Sequence, residues 1–273
     1  MKNTFKYSLR ITLLFLFLPF SLSAQDLLEA EKKLSALFEM LKTTQSKEES
    51  LDIHQQIETT LKAVLQNDES FNYPFSSLNF LGKIYSDDHL LRIYSWNIPF
   101  YDGTFHYGGI IQQKKNNIIT ALNIKDATYM PPNNKIIDPQ NWYGALYYRA
   151  IPVTDKKSTY YTLLGWAGND DLTNFKIIDA LTIDNHKIRF GLPVFKKGNR
   201  TFYRALFEYG DQYTMTLEYD KKSKQIIFDH LAPSSRQYEG IYTHYGPDFS
   251  YDSFQLKKKE WIFKENVDAR NSF

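Results

Sequence analysis

The chain has 273 residues, no cysteine, 16% aromatic residues and a formal net charge of +2. Without cysteine there is no disulfide framework, no thiolate metal site, no thiol nucleophile and no lipid anchor on a cysteine. Charge gives no support to nucleic-acid binding: the longest basic run is Lys257-Lys258-Lys259, and no basic block is interleaved with aromatics.

Residues 1–24 read as an export signal. Lys2, Lys6 and Arg10 precede the apolar run Ile11 to Phe20, and Ser21-Leu22-Ser23-Ala24 offers small residues for cleavage before Gln25. The apolar run is shorter than the roughly 20 residues a membrane-spanning helix needs, so no transmembrane segment is expected after signal removal. Removing the leader takes three of the 33 basic residues and none of the 31 acidic ones, leaving 30 against 31. The expected location is the periplasm, the cell surface or the medium.

Residues 25–70 are expected to form a helical hairpin. The stretch 26–66 has no Gly or Pro, and Leu27, Leu34, Leu37 and Leu41 recur at helical spacing, as do Ile53, Ile57, Leu61 and Val64. Ser46-Lys47-Glu48-Glu49 fits a capping box, which breaks the segment into two helices near 44–46. An antiparallel pair buries its apolar stripe against the remainder.

Residues 71–273 read as an antiparallel β domain, making the chain mainly β. Short alternating runs separated by turn residues suggest strands at 90–96, 104–112, 117–124, 142–152, 159–166, 174–183, 187–195, 240–244, 251–256 and 260–265. Between Thr201 and Leu231 the pattern predicts a three-stranded meander, with Gly210-Asp211 as a two-residue hairpin. That register pairs Arg204 with Leu217 and Glu208 with Tyr213. The connections favour a meander closing as a barrel, a sandwich or a partial propeller, with Lys125 to Asn141 as a long loop forming a lid or rim. Glu265 and Asn271 on the outward face of the last stretch argue against a membrane barrel.

No segment matches a catalytic or ligand motif: there is no His-x-x-x-His pair, nucleophile elbow, phosphate loop or dinucleotide fingerprint. The candidate ligand-binding residues are Trp166, Asp170, Asp171, Arg204, His244, Asp248 and Asp252. An inward Arg204 requires a carboxylate, carbonyl groups or a bound anion, unless its head reaches water at a sheet edge, which is the simpler expectation. Asp229 and His230, adjacent in a strand, point to opposite faces and make a poor pair. The stretch GWAGNDDLTN, 165–174, supplies too few oxygens for a calcium shell by itself, so a metal-free hairpin loop is expected, with Ca²⁺ as the minority reading and no other cofactor. The expected role is a non-catalytic binding or interaction protein of the cell envelope with a protein or carbohydrate ligand. The alternative is an exported hydrolase using loop carboxylates.

Overall fold

A computed structural model of the chain describes residues 24–124, 130–155 and 158–269. Residues 1–23, where the sequence suggests an export signal, lie outside these, as do 125–129 of the long loop and the last four residues. The protein is mainly β: two N-terminal helices form a pair, followed by three mostly antiparallel sheets, none closed into a barrel. Among the described residues no helix is long and apolar enough to cross a membrane.

Helix α1 covers Ala24–Thr43 and α2 covers Lys47–Leu65. The break falls where the sequence places it, with the Glu49 amide donating to Ser46 Oγ at 3.3 Å. Only half of the capping box forms, because the Glu49 carboxylate takes the Thr44 hydroxyl. The connection to the first strand is fastened by three charged side chains. Glu31 of α1 accepts from Tyr73 Oη at 2.7 Å and the Ser77 amide at 2.6 Å. Arg92 donates through one nitrogen to the carbonyls of Ser70, Phe71 and Tyr73, and Lys83 holds those of Phe75 and Leu78.

The first sheet is a meander of β1 (Gly82–Tyr85), β2 (Leu91–Pro99), β3 (Phe105–Gln113) and β4 (Ile118–Leu122). The second contains β5 (Leu146–Thr154), β6 (Thr159–Gly168) and β7 (Thr173–Asp184), with β8 (Lys187–Phe190) on the end of β7. The chain then enters the third sheet with β9 (Phe195–Lys197) and β10 (Arg200–Phe202) and returns to the second as β11 (Arg204–Gly210). It finishes in the third sheet with β12 (Leu217–Asp220), β13 (Gln225–Pro233), β14 (Tyr245–Lys257) and β15 (Glu260–Lys264). The only parallel strand pair in these ladders, β15 with β9, follows from that excursion.

The layers stack in series. Tyr94, Trp96, Ile98 and Ile110 of the first sheet pack with Leu34, Phe38, Ile57 and Leu61 of the helices. The alternate residues, Ile93, Tyr107 and Ile111, pack with Leu163, Ile177 and Leu181 of the second sheet. The far face of that sheet, with Leu164, Ile178 and Ala180, packs on Phe195, Phe228, Phe254 and Trp261 of the third. Of the barrel, sandwich and partial propeller left open by the sequence, the closed barrel is absent: the middle sheet buries both faces, which a single closed sheet around one core does not do.

The 201–231 meander is corrected. β11 pairs with β7, Arg204 opposite Asp179, while β12 pairs with β13. Gly210 does not adopt the positive φ that a primed two-residue turn needs. Its missing side chain serves a close approach instead: a Cβ there would lie 2.3 Å from the Thr243 carbonyl oxygen. Residues 242–244, expected as strand, form a 3-10 turn. Lys125 to Asn141 packs down where it is described: Ile137 bridges to Phe190 and the Asn133 carbonyl accepts from the Tyr203 amide at 2.7 Å.

Candidate functional site

The seven residues singled out in the sequence do not gather. Trp166, Asp170 and Asp171 belong to the β6–β7 hairpin, where Gly168 pairs with Asn174. The half-buried Trp166 ring meets Phe105 edge-on, with centroids 6.2 Å apart. Asp170 Oδ1 accepts from the amides of Leu172 at 2.8 Å and Thr173 at 2.7 Å, which is how an Asp closes a turn. Asp171 lies against the backbone of Gly103, where a Cβ would stand 2.5 Å from its carboxylate. His244 stacks on Tyr238 with centroids 3.8 Å apart. None of the seven hydrogen-bonds to another, and among the described residues no three His, Asp or Glu side chains form a metal-holding group.

Arg204 overturns the expectation of a snorkelling edge residue. It and Asp179 are both 0% exposed, with Nε donating to Asp179 Oδ2 at 3.0 Å. Its Nη1 donates to the Pro132 carbonyl at 2.6 Å, so the long loop closes over it. Asp179 also accepts from Tyr143 Oη at 2.9 Å and the Ala180 amide at 2.7 Å. Burial pushes its carboxyl above the ordinary range, opposed by the guanidinium. The carboxylate and carbonyl that an inward Arg requires are thus supplied internally to Nε and Nη1, while buried Nη2 has no hydrogen-bond partner among the described residues.

Asp248 and Asp252 lie along β14. Asp248 accepts from Ser250 Oγ at 2.7 Å; burial alone would raise its carboxyl, but the Ser250 bonds and nearby His230 bring it below the usual range. Buried Asp252 meets His230 Nδ1 at 2.8 Å and accepts from the Asn266 amide at 3.1 Å. This pair is invisible to a reading of neighbours in sequence. The β13–β14 register shifts between Asp229 and Leu231, and such a bulge re-aims the extra side chain, here toward a strand partner 22 positions away.

A concavity lies elsewhere, at the junction of α1 with the β2–β3 hairpin. It encloses about 480 Å³ and is lined by Phe38, Leu41 and Lys42 of α1, Phe80 before β1, and the 97–101 segment. Phe80 is 51% exposed and Tyr101 80% exposed. A smaller depression, lined by 44–47, Ser50 and 99–102, adjoins it. The groove exists because β1 is shorter than β2. Its first residue, Gly82, pairs with Ser95, and the preceding segment curls away through the Leu81 amide to Leu78 carbonyl bond at 3.4 Å. β2 therefore runs on past its neighbour.

Behind the groove, Phe38 of its wall meets Trp96 edge-on, with ring centroids 6.4 Å apart. Trp96 is fully buried and lies across β3, which the glycine opposite permits: a Cβ on Gly108 would stand 2.1 Å from its ring. The indole donates to His54 Nδ1 at 3.2 Å, and His54 meets His106 edge-on at 4.5 Å. Burial depresses both imidazoles to about 4, with the neighbouring His54 contributing to the shift of His106. At the rim, Lys42 Nζ lies 3.9 Å from the centroid of Phe80 and Lys47 Nζ 4.6 Å from that of Phe100. Lys47 also bonds Asp102 at 2.9 Å; hydrogen bonds from Thr104 first, and then Lys47, lower that carboxyl to about 2.

No family model, curated protein or solved structure matches the chain.

Proposed function

We propose that this chain is an exported, non-catalytic binding or interaction protein of the cell envelope, and that its ligand, a protein or a carbohydrate, docks in the groove between α1 and the β2–β3 hairpin. One observation carries the reading: a preformed groove with apolar walls and exposed Phe80 and Tyr101 lies beside an uncovered strand end. Ligand sites are typically concave, mostly apolar and preformed. Export rests on the basic start, short apolar run and small residues before Gln25.

The hydrolase alternative has the His230–Asp252 pair in its favour, but the groove and that pair have no lining residue in common. The test is binding of envelope fractions, separated into protein and polysaccharide, to the exported chain and to the Phe80→Ser/Tyr101→Ser variant. The reading expects retention of a component by the parent and its loss in a variant with unchanged melting. Equal retention by both would move the site away from the groove.

A further inference from the structure

We infer that the groove takes an extended segment of a partner protein, which adds as a strand to the open edge of β2; this rests on the binding reading above. Main-chain groups along a strand alternate in direction, each residue directing its N–H and C=O to the same side. Leu91 fixes the parity. Its amide donates to Ser86 Oγ at 3.0 Å and its carbonyl accepts from the Ser86 amide at 2.9 Å, on the β1 side. Odd-numbered residues of β2 therefore face β1 and even-numbered ones face β3, consistent with the Phe100 amide bonding the Thr104 carbonyl at 2.9 Å where the β2–β3 hairpin continues.

Beyond Ser95 there is no β1 residue to pair with. The N–H and C=O of Asn97 and the C=O of Pro99 are thus directed into the groove that these residues line. Pro99 fits this assignment, since its missing donor falls on the open side, where a strand tolerates proline. An incoming strand exchanges two hydrogen bonds with Asn97 and gives a third to Pro99. Side chains on one face of that strand lie beside Ile98 and meet Phe38 and Leu41, so apolar residues at alternate positions fit.

One feature favours a peptide over a sugar. Sugars stack on open aromatic faces, whereas Lys42 and Lys47 each place an ammonium over the Phe80 and Phe100 rings. Lys42 is held by Glu39 at 2.8 Å and Lys47 by Asp102 at 2.9 Å, so the charges at the rim are balanced and the incoming segment needs none of its own. Strand addition draws affinity from main-chain bonds and specificity from alternate side chains.

The experiment records amide spectra of the isotope-labelled exported chain with acetylated, amidated hexapeptides of the pattern Glu-X-Thr-X-Thr-Glu, X being Val, Ile, Leu, Phe or Tyr. Two N-methylated forms of the best binder, one methylated at both X positions and one at both Thr positions, are compared with it. A strand has one bound edge and one free edge, so one methylated form is expected to lose binding and the other to keep it, with shifts centred on Asn97. Asn97→Pro, which removes the outward donor together with the side-chain amide, is expected to weaken the best peptide about tenfold with unchanged melting, and Asn97→Ala, which keeps the donor, to bind it as the parent does.

Equal binding by both methylated forms would overturn strand addition while leaving the groove a binding site. Shifts with maltohexaose or chitohexaose but with no peptide would overturn it in favour of a carbohydrate. No shift with any of these would remove both the inference and the reading beneath it.

Discussion

Arg204 is where the residue scale departs most from the sequence. An arginine on a largely apolar strand face reads as an edge residue whose head reaches water, because the sequence does not say which strand lies alongside; opposite Asp179 the same side chain is a buried ion pair. Removing one partner of such a pair leaves an uncompensated buried charge, which costs about 3–5 kcal/mol. Arg204→Met is therefore expected to destabilise by that amount in urea unfolding. Arg204→Met/Asp179→Asn should lie closer to the parent than Arg204→Met alone, since the amide neutralises the orphaned charge and still accepts from Tyr143. Strict additivity of the two substitutions would show that they do not interact. His230 teaches the same lesson: its partner Asp252 stands across a bulged ladder, and a bulge leaves no mark in a period-two pattern.

At the scale of elements, local signals were legible. The helix break at Ser46 and the hairpin closed by Asp170 follow from capping and turn chemistry within five residues of chain. Pairing between distant strands was not legible, which is why Gly210 read as a turn glycine when it serves a close approach to Thr243. The groove escaped notice for the same reason. Phe80 and Tyr101 are unremarkable until β1 is seen to stop short of β2.

The helix-to-sheet contact carries its own pH dependence. His54 and His106 have folded values near 4 against an ordinary 6.5, so the unfolded chain binds more protons between those limits. Stability is then full above about pH 6.5 and declines as the pH falls toward 4, His54 alone contributing on the order of 3 kcal/mol. The groups facing this pair are Glu58, 3.8 Å from His54 Nε2, and Lys47, which acts on His106. Urea midpoints across that range should drop steeply for the parent and more shallowly for His54→Gln, whose amide does not titrate. Parallel curves would place the titration elsewhere.

For the whole molecule, the mainly β class with a leading helical pair was legible from composition and period, whereas the stacking of three sheets was not. Strands such as β6 and β7 are buried on both faces and so lose the alternation that marks an inner and an outer side. The helices close one end of this stack over Trp96, Ile98 and Ile110. Deleting residues 24–66 is expected to expose that surface and cause aggregation, seen by light scattering. A soluble truncated chain with unchanged melting would mean that the first sheet does not need its cover.

The central claim is that β2 presents an unpaired edge to the groove, and amide hydrogen exchange of the ligand-free chain tests it most directly. Trp96 and Ile98 direct their amides toward β3 and should exchange slowly, near the rate set by global unfolding. Asn97, between them on the same strand, should exchange orders of magnitude faster. Protection of Asn97 equal to that of its two neighbours would mean that the edge is already occupied, and would contradict the account.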